Sequence, residues 1–170
     1  PEFDFPWYTH RSVSVDNPMQ VAGGLQVVSA LGLESLKDAR TILIPGWRNR
    51  DERPPQALLD ALRDACNRGT RLLSICSGVF VLAAAGLLDG KRATTHWRYT
   101  DELATRYPGI TVDPNVLYVD NGQIITSAGS AAGIDACLHL VGRDYGMQVA
   151  NIVARRLVMA PRRAGGQSQF

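Results

Sequence analysis

The segment Arg71-Leu-Leu-Ser-Ile-Cys76-Ser-Gly-Val-Phe-Val-Leu-Ala-Ala-Ala-Gly86 carries an apolar run onto a cysteine and then starts a small-residue helix at once. That order fits a nucleophile elbow. A strand delivers Cys76 into a tight turn, and Gly78 lets the backbone approach closely. A helix over 79–85 then aims its N-terminal N–H groups and positive dipole end at the sulfur. Such a turn either activates a thiol or builds a small pocket for an anion or a carbonyl oxygen. The plain alternative is a buried cysteine at a strand end, acting as a small hydrophobe.

Two further groups of residues could share that chemistry. Pro45-Gly46-Trp47 follows an apolar strand, at the end where ligands bind in doubly wound sheets. The backbone N–H of Ser77, with that of Trp47 or Gly46, could form an oxyanion hole. Trp47 and Trp97 offer apolar or cation–π walls for a small metabolite, although Trp97 suits core packing equally well. Arg48 and Asn49 could read a carboxylate or amide, or simply form a solvated loop. Ser130 stands where a helix begins and reads as its N-cap, with N–H groups nearby that a ligand could touch. His10 falls on an early strand and reads as surface.

The elements that must position these residues follow from pattern. Residues 7–15 alternate and are rich in aromatic and β-branched types, which predicts a strand. Asn17-Pro18 and Gly23-Gly24 mark turns, and 25–28 is a short strand. Residues 41–44 are apolar without alternation, as in a strand buried on both faces of a parallel sheet. Pro54-Pro55 opens a helix whose Leu58, Leu59, Leu62, Ala65 and Cys66 share helical spacing, and Gly69 ends it. Then come a strand at 71–75, the elbow, a turn at 87–90 and a short strand at 92–95 that ends at His96. A helix follows through Arg106. Residues 116–119 and 123–126 flank Asp120-Asn121-Gly122, a hairpin signal. Two last helices run from Ser130 to about 143 and over 147–158, with Cys137 and His139 packed within the first. Strands alternating with helices give an α/β three-layer α/β/α sandwich with a mostly parallel, flavodoxin-like sheet.

Bulk properties narrow the function classes. The chain has 170 residues, enough for one domain with a sizeable core. Its net charge of +2 is too small to argue for nucleic-acid binding. The basic excess gathers at Arg155, Arg156, Arg162 and Arg163, as at a solvated helix end. Three widely spaced cysteines, Cys66, Cys76 and Cys137, with no CxxC pair, argue against a disulfide framework and a zinc site and favour a reducing, cytoplasmic setting. No apolar run spans a bilayer, so no membrane partner is expected. Nothing calls for a metal or cofactor. The tail Pro-Arg-Arg-Ala-Gly-Gly-Gln-Ser-Gln-Phe reads as the start of a flexible connection.

The runs SICSGVFVLAAAGLLDGKRATTHW and NVLYVDNGQIITSAGSAAGIDACLHLV resemble the sensor domain of GlxA-type transcriptional regulators. In those proteins a ThiJ/PfpI domain, class I glutamine amidotransferase-like, precedes an AraC-type DNA-binding domain. The resemblance covers nearly the whole chain, and the closing VANIVARRLVMAPRRAGGQSQF resembles the segment leading into two helix-turn-helix units. It implies a sensor domain at 1–160 and the start of a linker at 161–170. It also implies that a histidine at the place of His96, twenty positions after Cys76, approaches the cysteine as general base or ion-pair partner. Two features depart from the family. Its first strand-helix unit, roughly 30 residues, is not in this chain, and that unit usually sets an acidic residue beside the cysteine. The DNA-binding half is not in it either. Asp101 and Glu102, on the helix after His96, read as solvent-facing rather than as its orienting acid.

The expectation is a ligand-sensing homodimer that binds a small, nitrogen-containing effector around Gly46, Trp47, Cys76, Ser77, His96, Trp97 and Ser130. It would touch DNA only through an attached domain. The alternative is a cysteine-dependent hydratase or amidase with Cys76 as nucleophile and His96 as base. A third reading is redox sensing at an exposed thiol of low pKa.

Overall fold

Leu72 and Leu73 are both fully buried yet belong to different apolar clusters, and that alternation along one strand sorts the chain into layers. The computed structural model describes residues 3–20, 22–160 and 163–169. Arg162 of the basic C-terminal group lies outside them. The chain begins with a small antiparallel hairpin of β1 (Met19–Gln20) and β2 (Gln26–Val27). Then follow β3 (Thr41–Ile44), α1 (Gln56–Asn67), β4 (Arg71–Ile75) and α2 (Val79–Ala84). Next are β5 (Arg92–Ala93), α3 (Thr100–Arg106) and β6 (Thr111–Val112). The hairpin of β7 (Tyr118–Asp120) and β8 (Ile124–Ser127) leads into α4 (Ser130–Tyr145) and α5 (Met147–Arg156).

The main sheet has the order β3-β4-β8-β7. β3, β4 and β8 run parallel, with Ile44 opposite Ser74 and Ser74 opposite Thr126, while β7 is antiparallel to β8. Leu72 packs with Leu59, Leu62 and Ala65 of α1 and with Val79 to Ala83 of α2. Leu73 packs with Ala132, Ala136 and Leu140 of α4 on the opposite face. Each fully buried leucine contributes about 2 kcal/mol of transfer free energy to this three-layer sandwich.

Three expectations need correction. Residues 7–15 form no strand: among the described residues their backbone bonds to other segments are Ser14 N–H donating to the Leu31 carbonyl and the Ser12 carbonyl accepting from the Ser29 hydroxyl. Alternation alone does not make a strand when no neighbour offers a row of hydrogen bonds. Instead Trp7 stacks on Tyr145, Tyr8 meets the same ring edge-on, and the Tyr8 hydroxyl donates to Asp144. β3 is an edge strand with one covered face, and Leu43 is 45% exposed on the other. The strand expected at 92–95 stops at Ala93, because Thr94 N–H donates to the Thr126 side chain rather than to a strand partner.

Residues 163–169, whose composition suggests a flexible connection, lie against β7. The N–H groups of Leu117 and Tyr118 both donate to the Gly165 carbonyl. Among the described residues no helix is long and apolar enough to cross a membrane.

Candidate functional site

The carboxyl ends of β3, β4 and β8 converge on Cys76. The backbone leaves β4 at Ile75 in extended form and turns sharply at Cys76, whose φ is 52°. For a residue with a Cβ this left-handed conformation is strained, and such strain clusters at functional turns. Gly78 makes the turn possible: a Cβ there would stand 2.5 Å from the Ile44 carbonyl oxygen of β3. The chain then enters the fully buried first turns of α2.

His96 arrives from the end of the β5 segment. Its ring and the Cys76 sulfur lie side by side across Gly129. An ideal Cβ on Gly129 would be 3.2 Å from His96 Cδ2 and 3.7 Å from Cys76 Sγ. The Thr95 hydroxyl donates to the Cys76 carbonyl at 2.9 Å, tying the two segments together. No hydrogen bond joins the sulfur to the imidazole. His96 Nδ1 instead accepts from Arg98 N–H at 3.2 Å, so that the ring caps the turn at Trp97–Tyr99. A ring nitrogen that accepts carries no proton, so the neutral ring holds its proton on Nε2.

The Pro45-Gly46-Trp47 loop reaches the elbow through Ser77. Trp47 N–H donates to Ser77 Oγ at 2.9 Å, and the Ser77 hydroxyl donates back to the Trp47 carbonyl at 3.1 Å. The Trp47 N–H is therefore committed within the protein, which leaves Gly46 as the alternative partner of Ser77 for the expected oxyanion hole. Gly46 lies close by, with its ideal Cβ position 3.5 Å from Ser77 Oγ.

The two tryptophans carry arginines of this chain. The Arg48 guanidinium stands 5.5 Å over the Trp47 ring and that of Arg98 stands 5.5 Å over Trp97. Arg48 is also paired with Asp16 and Glu52, and its hydrogen bonds hold the Glu52 carboxyl below the usual range. Asn49 is exposed and its side chain accepts from Asp51 N–H, a local loop contact. Trp97 is 50% exposed, so the core-packing alternative does not hold for it.

Ser130 is the first residue of α4, and the N-cap position belongs to Gly129, with no side-chain cap. The serine hydroxyl is exposed and joins none of the other site residues. Asp101 faces solvent, whereas Glu102 is half-buried between Arg50 and Arg106, at 2.9 and 3.0 Å. Neither serves His96, and among the described residues no carboxylate hydrogen-bonds to that ring. His10 is exposed. Among the described residues no group of three His, Cys, Asp or Glu side chains could hold a metal ion.

The structure thus brings Cys76, Ser77, Gly46, Trp47 and His96 together, with Trp97 beside His96 at a ring distance of 5.3 Å. It adds Thr95 and Gly129, both within the quoted runs. It also adds Gln169, whose amide reaches Thr95 and Trp97 from the far end of the chain. No local signal in the sequence marks that last contact.

Comparison with known proteins agrees with this architecture. The DJ-1/PfpI family model matches residues 8–143. The HTH-type transcriptional regulator CdhR of Pseudomonas aeruginosa is 35% identical over 153 residues, covering 89% of this chain and 45% of that protein. The isonitrile hydratase of Pseudomonas putida is 36% identical over 149 residues, covering 85% of this chain and 62% of the enzyme. The chain therefore spans about half the length of the curated relatives it matches. Among solved structures, an AraC family transcriptional regulator from Pseudomonas putida superposes with a TM-score of 0.73 at 24% identity, covering 85% of this chain and 78% of that one. The fold, the elbow segment and the extent of the family match lead to one conclusion: the chain belongs to the DJ-1/PfpI family.

Proposed function

We propose that this chain is the ligand-sensing and dimerisation domain of a transcriptional regulator. A small, nitrogen-containing metabolite binds around Cys76, Trp47 and His96, and binding alters how an attached helix-turn-helix domain is presented to DNA. One observation carries the choice of sensing over catalysis. His96 gives its Nδ1 lone pair to Arg98 N–H, and among the described residues no carboxylate orients the ring. A base needs an available lone pair facing the proton it removes, and a partner that holds the ring in that tautomer. The similarity to CdhR, a regulator by name, supports the same reading. The ligand's recognition by cation–π contact is less favoured, since arginines already occupy both tryptophans.

A thermal-shift screen of amino acids, amines, amides and small nitriles on the wild type and on Cys76→Ala tests this. A compound that raises Tm and is recovered unchanged is the expected result, with the shift set by its affinity. A compound that is consumed, with consumption lost in Cys76→Ala, would overturn it.

That second outcome is the enzyme reading, a cysteine-dependent hydratase or amidase. Its specific support is the left-handed Cys76 turn together with 36% identity to an isonitrile hydratase. It requires Cys76 to alkylate much faster than Cys66 or Cys137, the latter being pushed up in pKa by burial.

A further inference from the structure

Asp135 is a carboxylate inside an apolar helix face, only 3% exposed. Its charge is met by Arg163, whose Nη2 and Nε donate to Oδ2 at 2.6 and 3.1 Å. A buried carboxylate left without its partner is costly, so this pair holds residues 163–169 against α4. The segment is fitted as well as tied. Gly165 lies so close to β7 that a Cβ there would stand 2.7 Å from the Tyr118 carbonyl oxygen. Its own carbonyl accepts from Leu117 N–H at 2.6 Å.

The segment ends on Gln169, which grips the backbone on both sides of His96. Its Oε1 accepts from Trp97 N–H at 2.8 Å, and its Nε2 donates to the Thr95 carbonyl at 3.0 Å. The same Nε2 lies 3.1 Å from the Pro114 carbonyl and 3.2 Å from that of Val116. An amide can do both, whereas a carboxylate cannot donate to the carbonyls and an ammonium cannot accept from the N–H. The residues it holds are Thr95, which bonds the Cys76 carbonyl, and Trp97, which lies against the His96 ring.

We propose that Gln169 is a positioning residue of the Cys76–His96 site, delivered by a C-terminal strap that the Arg163–Asp135 pair pins to α4. Occupancy of the site and docking of the strap are then coupled, and the coupling is reciprocal. The proposal rests on Cys76 and His96 forming the ligand site. It supplies a route by which a change there reaches the end of the chain.

The test uses the intact chain with Arg163→Ala and Gln169→Ala variants and needs no ligand. Strap exchange, the hydrogen exchange of the Leu117 and Tyr118 amides that donate to the Gly165 carbonyl, reads strap docking. Proton NMR titration reads the three histidines, His10, His96 and His139, separately. Arg163→Ala is expected to speed strap exchange about tenfold or more. Gln169→Ala is expected to displace the His96 titration and to change the Cys76 alkylation rate about fivefold, with His10, His139 and Cys66 unmoved. Gln169→Glu, which keeps the acceptor for Trp97 N–H but sets a carboxylate against the carbonyls, should behave like Gln169→Ala. Unchanged strap exchange in Arg163→Ala, or an unchanged His96 titration in Gln169→Ala, would overturn the proposal. A metabolite screen without a hit would count against the sensing function and leave these readouts standing.

Discussion

Ser77 and Trp47, thirty positions apart in the chain, are joined by a reciprocal pair of hydrogen bonds through one hydroxyl. The Ser77 hydroxyl accepts from the Trp47 N–H and donates to the Trp47 carbonyl. One small side chain therefore fixes the loop after β3 against the elbow after β4, and it consumes an amide that would otherwise face the site.

Ser77→Ala should cost about 2 kcal/mol, since it removes two hydrogen bonds and strands two half-buried backbone groups. Urea unfolding followed by tryptophan fluorescence measures this. The emission of the folded state should also shift, because the Trp47 backbone loses both bonds to the elbow while its indole stays bonded to the Glu52 carbonyl. A variant as stable as the wild type would mean that water replaces the hydroxyl without loss.

The left-handed turn at Cys76 makes a second prediction. Alanine at this position keeps the steric conflict of a Cβ at φ 52°, whereas glycine has none. Cys76→Gly should therefore be more stable than Cys76→Ala by about 1 kcal/mol, against the usual preference for alanine. Paired denaturation curves decide it. Equal stability would show that the turn relaxes when the sulfur is removed.

At the opposite end of the sheet, Arg71 bonds both oxygens of Asp144, at 2.8 and 2.7 Å, and the Tyr8 hydroxyl adds a third bond at 2.6 Å. The Arg71 bonds hold the Asp144 carboxyl below its usual range, against the opposing effect of burial, with Tyr8 assisting. A carboxyl with a lowered pKa in the folded state stabilises the fold fully above its unfolded value of about 3.9, and that stability is lost as pH falls below it. Asp144→Asn should flatten part of the acid limb of stability against pH, while leaving its slope near neutral pH unchanged. Urea midpoints from about pH 2 to 6 test this. An unaltered acid limb would assign acid sensitivity to other carboxyls. Tyr8, pushed up in pKa by its own burial and by Asp144, stays protonated throughout that range.

Much of the site was legible in one dimension because its chemistry is local. Cys76, Ser77 and Gly78 must be consecutive for a strand to turn into a helix over a sulfur. The run from Arg71 to Gly86 shows that directly. The α1 helix was legible for a similar reason: Leu59, Leu62 and Ala65 keep helical spacing and are all fully buried. The strand expected at 7–15 failed because a strand exists only with a partner, and pairing is not a local property.

The amino-acid sequence by itself determined the main helices, their alternation with strands and the elbow that carries Cys76. Tertiary structure alone decided how the site's polar groups are spent. It gave the Trp47 N–H to Ser77 and the backbone beside His96 to Gln169. The physical reason is that hydrogen-bond partners are chosen by distance in space. Partners separated by thirty or seventy-two positions leave no periodic trace in the chain that joins them.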